Sequence, residues 1–258
     1  MKFILAEKRE MTQKYAPDGS VIPVTKLSVA PCVITQIKTE AKDGYVALQI
    51  GCGFKKNLSK SIKGHLKNLG SFRYLKEFII EPSLASDLKT GDVIDIDTFT
   101  PGDNVQVTGV SKGRGFQGVV RRYHFHGHPA SHGHKDQLRH SGAIGAGGVQ
   151  NVSKGKRMSG RMGTDQVTVK NLKIIEVDAQ NQELFVKGAV PGAKGGLTVV
   201  VSLAGQIKLK KPTAAEEKKL SVAPEAVKPV DRVASSQPET QPAAAEVSQK
   251  SITEAEKQ

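Results

Sequence analysis

Residues 112–163 of this 258-residue chain hold ten Lys or Arg and one acid, Asp136. A formal charge of +9 is thus confined to 52 residues, which also carry 12 of the chain's 26 glycines. Such a segment cannot build a core of its own. Its charges repel one another, and its glycines lose the most backbone freedom on ordering. It lies between two runs rich in β-branched residues, "VQVTGV" near Val110 and "QVTVKNLKIIEVD" near Val167. Closing so long a loop costs only on the order of a few kcal/mol. Irregular loops of this length in compact domains are nevertheless uncommon, and are usually functional or disordered. The expectation is a folded body interrupted by an extension that orders against an external polyanion.

The bulk charge agrees. The net charge is +13 and the isoelectric point about 9.7, which favours nucleic acid or an acidic membrane surface as partner. Apolar residues make up 38% of the chain and tryptophan is absent, so a core is possible but not generous. Cys32 and Cys52 form no CxxC pair and sit in apolar, strand-like surroundings, so both are expected to be reduced core residues. The opening "MKFILAEKRE" has too short an apolar run for a signal peptide, and no run reaches the length of a membrane span. A cytosolic, soluble chain with no membrane partner is expected. From Pro212 onward, 47 residues contain no glycine and no aromatic, but five prolines, six basic residues and eight acids. That tail, 212–258, buries too little apolar surface to offset its ordering entropy and is expected to be disordered.

The rest reads mainly as β. "KFILA", "VIPVTKLSV", "CVITQIK" and "YVALQIG" are short and partly alternating, with the turn-favouring pairs Asp18-Gly19 and Asp43-Gly44 between them. "DVIDIDT" and "VQVTGV" alternate with period two. "QVTVKNLKIIEVD" and "ELFVKGAV" flank a hairpin turn at "AQNQ", and "GLTVVVSL" supplies a last strand. In "NLSKSIKGHLKNLG", Leu58, Ile62, Leu66 and Leu69 follow helical spacing and Gly70 suits a helix stop. About nine strands and one short helix predict a β-barrel or sandwich. The expected division is a barrel body over 1–110 and 164–211, a basic extension over 111–163, and the tail.

Three chemistries compete for "SKGRGFQGVVRRYHFHGHPASHGHK". Gly113, Gly115 and Gly118 match the dinucleotide pattern GxGxxG, but that pattern needs a following helix. "VVRRYHFHGHP" is β-branched and aromatic instead. His124, His126 and His128 alternate, and His132 and His134 repeat the spacing, which permits a zinc site or a zinc hydrolase as the alternative reading. Against it stand the interleaved cations and the single nearby acid, Asp136. Nucleic-acid binding uses the whole segment. Glycines admit phosphates to the backbone, and Lys112, Arg114, Arg121 and Arg122 supply charge and bidentate contacts. Phe116, Tyr123, Phe125 and the imidazoles can stack on bases or ribose. "NVSKGKRMSGRMG" continues the pattern with Lys154, Lys156, Arg157 and Arg161, and Met158 and Met162 are spaced for one helical turn.

The motifs "VQVTGVSKGRGFQGVVRRYHFHGHPASHGHK", "GAIG", "KGKRMSGRMG" and "ELFVKGAVPGAKGG", in this order, resemble the universal large-subunit ribosomal protein L-three family in its bacterial form. The likeness extends to the opening strands and covers residues 1 to about 209. It implies a β-barrel body on the outer face of the large subunit, with an extension running through 23S-type ribosomal RNA toward the peptidyl-transferase region. It implies early binding during assembly, the ribosomal proteins numbered fourteen and nineteen as neighbours, and no catalysis, cofactor or small-molecule substrate. The family's Ser-Lys-Gly-Lys/Arg-Gly-Phe element falls on Ser111, Lys112, Gly113, Arg114, Gly115 and Phe116. Its basic pair falls on Arg121 and Arg122, its His-Gly on His132 and Gly133, and a further arginine on Arg139. Its Gly-Lys-Lys/Arg-Met element falls on Gly155, Lys156, Arg157 and Met158. The chain departs from the pattern at Leu138, at Ser141, in "AGGVQN", and at Glu10-Met11-Thr12. The combined expectation for RNA contact is Lys112, Gly113, Arg114, Gly115, Phe116, Arg121, Arg122, Tyr123, His124, His126, His132, Arg139, Lys154, Lys156, Arg157, Met158 and Arg161.

Overall fold

Lys2, Phe3, Ile4, Leu5 and Ala6 are five consecutive buried residues at the start of the first strand, β1 (Lys2–Tyr15). Side chains of a strand alternate between faces, so an unbroken buried run needs cover on both sides. Two sheets supply it. In this computed structural model, which describes residues 1–67, 69–85, 88–205 and 207–210, the strands after β1 run in chain order as follows. First come β2 (Val21–Val29), β3 (Cys32–Lys38), β4 (Ala47–Phe54), β5 (Phe72–Ile79), β6 (Val93–Ile94) and β7 (Asn104–Val110). Then come β8 (Gly115–Gln117), β9 (Gly160–Met162), β10 (Gln166–Asp178), β11 (Glu183–Lys187), β12 (Leu197–Ser202) and β13 (Leu209–Lys210). A closed antiparallel barrel has the order β1-β12-β7-β10-β11-β2, and a second sheet the order β13-β6-β3-β4-β5. One hydrophobic cluster joins them. Phe3 of the barrel stacks on Phe78 of the second sheet, with ring centroids 4.3 Å apart and planes within 7°.

The expected barrel is therefore present, and most strands fall where alternation placed them. In β7, Val105, Val107 and Gly109 turn inward, with Gln106 and Thr108 between them. The Asp18-Gly19 and Ala179–Gln182 turns join β1 to β2 and β10 to β11. The second sheet was not expected, three local readings need correction, and one strand, at residues 72–79, had not been read. "DVIDIDT" gives only the two-residue β6, because the Asp95 carboxylate accepts the Ile96 amide at 2.8 Å and starts a 3-10 turn over Ile96–Thr98. Such local capping competes with the sheet ladder. Residues 72–79, with charges scattered through them, form the edge strand β5, in which only Phe72 and Phe78 are buried. Asp43-Gly44 is not a two-residue hairpin. Gly44 instead ends a single turn, α1 (Glu40–Asp43), between β3 and β4. The expected helix, α2 (Lys60–Leu66), stops at Lys67 rather than Gly70. Leu66 is buried there against Val33, Phe72 and Val93, while Ile62 faces solvent. A further turn, α3 (Pro82–Ala85), precedes β6. The tail, 212–258, lies outside the described residues.

At one end of the barrel Lys2 Nζ meets Asp103 Oδ2 at 2.8 Å, and the same carboxylate oxygen accepts the Thr100 amide at 3.0 Å. Burial disfavours the ionised Asp103 carboxyl, but these hydrogen bonds outweigh it and hold the group below the ordinary carboxylate range. A depressed folded-state pKa adds stability that is full above the unfolded value of about 3.9 and is lost as pH falls through the folded one. Asp103→Asn is expected to melt below the wild type at neutral pH, with a gap that narrows as pH drops below about 4. Thermal melts across that range measure it. A gap that does not change with pH would mean the carboxylate's charge contributes nothing.

Candidate nucleic-acid interface

The extension leaves the barrel where β7 ends and re-enters it where β10 begins, and Gln166 pairs with Val110 at that point. Pairing then continues past the barrel wall. The Ser111 amide donates to the Asp165 carbonyl at 2.9 Å, and the Thr164 amide donates to the Ser111 carbonyl at 3.2 Å. The Ser111 hydroxyl accepts the Asp165 amide at 3.1 Å. Beyond them β8 and β9 form a short ladder, Gly115 opposite Met162, Phe116 opposite Arg161 and Gln117 opposite Gly160. Met158 and Met162 thus do not share a helical turn: Met162 lies in a strand, because its backbone is committed to β8. Gly163 makes this close approach possible. Its φ is +82°, and a Cβ there would overlap the Lys112 carbonyl oxygen. At this root a cavity of about 390 Å³ is lined by Lys112 and Arg114 from the outgoing strand and Gly163, Asp165 and Val167 from the return.

Gly118 then caps a single helical turn, α4 (Val119–Tyr123). This corrects the expectation that no helix follows the glycine triplet. A five-residue turn between a three-residue strand and irregular chain is still not the strand-turn-helix unit that holds a dinucleotide. Val119 is buried beneath the turn. Arg122 Nη1 donates to the Met158 carbonyl at 2.9 Å, which ties α4 to the returning chain 36 residues away. The Arg122 guanidinium lies 5.0 Å from the Tyr123 ring centre, and that of Arg157 lies 5.7 Å from it. Tyr123 and Phe125 rings sit 6.3 Å apart. Arg121, by contrast, is exposed and makes one hydrogen bond, to Gln117 Oε1 at 3.3 Å. Phe116 is 77% exposed.

Between His124 and Ser159 the chain has only isolated turns, and nearly every residue is exposed, including His124, His126, His132, Arg139, Lys154, Lys156 and Arg157. His124 adopts the left-handed conformation, φ 60°, as it ends α4, so the three alternating histidines do not continue one extended strand. His128 and His134 stack, ring centres 5.2 Å apart. Among the described residues no three His, Cys, Asp or Glu side chains come together as metal ligands. The zinc reading has no assembled ligand set there.

Charge distinguishes this extension from the body. The salt bridges among the described residues involve Lys2, Arg9, Lys14, Lys26, Lys38, Arg73 and Lys194. None of the ten extension cations takes part. Their field reaches back into the barrel. Lys8 donates to the Val190 and Gly192 carbonyls at 2.6 and 3.2 Å, bracing the loop beside the root. Partial burial lowers its pKa, and repulsion from Lys112 lowers it further.

Comparison with known proteins places this arrangement. The profile of the family described as Ribosomal protein L3 matches residues 83–188, which contain the whole extension and its flanking strands. The protein named large ribosomal subunit protein uL3 of Herpetosiphon aurantiacus is 45% identical over 201 residues, covering 76% of this chain and 94% of its own length. Its namesake from Roseiflexus sp. is 48% identical over 201 residues, with 76% and 95% covered. The chain belongs to the ribosomal protein L3 family. Members are structural proteins of the bacterial cytoplasmic ribosome, a ribonucleoprotein engaged in translation, and are not enzymes.

Within this L3 fold, two contributors to the root were absent from the expected contact set. Lys8 lies far away in sequence, in the first strand, and the barrel's closure brings it beside Val190. Asp165 sits just outside the basic stretch, and nothing in its neighbours marks it as the partner of Ser111. Gly163→Ala is expected to break the Ser111–Asp165 and β8–β9 pairing while leaving the barrel intact, at a local cost of about 1–3 kcal/mol. Hydrogen exchange should speed up at the Arg114 and Thr164 amides but not at Val107. Unchanged exchange at all three would show that the root tolerates a side chain.

Proposed function

We propose that this chain binds 23S-type ribosomal RNA through residues 111–163, supports early assembly of the large subunit, and shapes the RNA near the peptidyl-transferase centre. The observation that carries this reading is that, among the described residues, none of the ten cations of this exposed segment, rooted in the barrel, takes part in a salt bridge. Phosphates of structured RNA supply that counter-charge. Lys112, Arg114, Arg121, Arg139, Lys154, Lys156, Arg157 and Arg161 are the proposed phosphate contacts, and Phe116 and Tyr123 the proposed stacking surfaces. Gly113 and Gly115 admit backbone close to phosphate, and Met158 supports α4 through its carbonyl. The proposed domain division follows: barrel over 1–110 and 164–211, extension over 111–163, tail over 212–258. The large-subunit proteins numbered fourteen and nineteen are the proposed neighbours.

The salt dependence of binding tests the mechanism. With about eight phosphate contacts, log affinity for large-subunit RNA should fall with log salt at a slope of about −6 to −7. A nearly flat slope would remove the phosphate account. The two adjacent arginines should separate by role. Arg121→Ala is expected to weaken RNA binding by about 1–3 kcal/mol without altering the free protein, since a charge-assisted contact is lost. Arg122→Ala is expected to weaken binding and also to loosen α4, seen as faster exchange at the His124 amide. If Arg121→Ala also loosens α4, its role is structural.

A further inference from the structure

Cys32 and Cys52 lie far from the extension, in the second sheet. The β3–β4 register pairs Val33 with Gly51 and Ile34 with Ile50. Continued by one residue, it sets Cys32 directly across from Cys52. Both thiols aim the same way: each approaches the Ala30 carbonyl, at 3.5 and 3.7 Å, and the Leu5 carbonyl, at 3.9 and 4.0 Å. Opposed residues of an antiparallel pair have Cα atoms about 4.5–5.5 Å apart. That spacing falls within the range of about 4.4–6.8 Å that a disulfide spans. The two sulfurs are not equivalent. Cys32 is wholly buried, whereas Cys52 is 5% exposed and floors a cavity of about 160 Å³ beside Glu7, Arg9, Ser28 and Tyr74.

We propose that Cys32 and Cys52 are a cross-strand peroxide-reactive thiol pair, in which Cys52 reacts first and Cys32 resolves it to a disulfide. The cavity is sized for a small oxidant, and hydrogen peroxide is the class that fits. The Cys52 thiolate attacks one peroxide oxygen. The O–O bond breaks, hydroxide leaves and takes up the thiol proton as water, and Cys52 becomes a sulfenic acid. The Cys32 sulfur then attacks the Cys52 sulfur. The S–O bond breaks, and the departing hydroxide combines with the Cys32 proton as a second water. Two thiols are oxidised by two electrons and one peroxide is reduced. The neighbouring Cys52 and burial push the Cys32 thiol up, while the neighbouring Cys32 holds that of Cys52 down. That ordering favours Cys52 as the thiolate. The inference does not depend on RNA binding.

The test treats the reduced full-length protein with hydrogen peroxide and follows free thiols and peptide masses. The expected result is loss of both thiols together, an intramolecular Cys32–Cys52 linked peptide, and reversal by dithiothreitol. In Cys32→Ser, Cys52 should accumulate as sulfenic acid trapped by dimedone. In Cys52→Ser, oxidation of Cys32 should slow by at least about tenfold, because the remaining thiol is buried and unactivated. Melting curves establish that each variant is folded. If a serine variant unfolds, the linked peptide of the wild type decides the matter alone. Equal reactivity of Cys32 in the wild type and in Cys52→Ser would overturn the assigned order. Retention of both thiols under peroxide that oxidises free glutathione, or linkage only between chains, would overturn the pair.

Discussion

The short ladder between β8 and β9 has to hold together two strands that carry like charge. Lys112, Arg114 and Arg161 lie on or beside it, and among the described residues none of them takes part in a salt bridge. Partial screening over about 8 Å at physiological ionic strength softens the repulsion but does not remove it. What opposes it is backbone pairing continued without a gap from the β7–β10 ladder of the barrel, with Ser111 and Asp165 bonded through both main chain and side chain. The root is therefore only as firm as the barrel it extends. This links a feature of the surface to the packing of the core.

The barrel is suited to that load because it has no free edge between β7 and β10. Every barrel strand pairs on both sides, and the N-terminal half of β1 is covered by the second sheet as well. The second sheet does not touch the root, but it buries the outer face of Phe3 and Leu5. A strand buried on both faces resists fraying, since opening it exposes two sets of apolar side chains at once. Lys8 carries the same rigidity outward, from β1 to the Val190–Gly192 loop.

How far this architecture was legible depends on where each element gets its stability. β2, β7, β10 and β12 read correctly because they are rich in β-branched residues, and in β7 burial of one face also imposes period two. "DVIDIDT" has the same period, yet Asp95 spends its carboxylate on its own neighbour, and a pattern of apolar and polar positions does not register that. β5 is an edge strand, so only Phe72 and Phe78 had to be apolar. α4 exists because Val119 is buried and Arg122 reaches Met158, a contact across 36 residues that no local window contains. The same holds for Met162: its spacing from Met158 suits a helix, but pairing with Gly115 decides its conformation. The cations of the extension were legible as composition. Their arrangement was not, because no salt bridge among the described residues fixes where they lie.

That difference divides the extension into two parts with unequal binding costs. The stem, through α4 and its return at Met158, is already ordered by backbone pairing, a buried valine and an arginine stacked on Tyr123. Contacts made there lose little conformational freedom on association. The segment 124–159 has isolated turns such as Gln137–His140 and Ser153–Lys156, and nearly all of its residues are exposed. Fixing each such residue costs on the order of 1–2 kcal/mol, which only contacts with a partner can offset. On the proposed reading the ordered stem sets direction and register, and the distal segment adds affinity only where the partner's shape repays its ordering. A surface that merely carried negative charge would engage the stem and leave the distal cations unordered. On the proposed reading, folded RNA that surrounds the segment satisfies both, and an extension without a core of its own is then selective for structure rather than for charge alone.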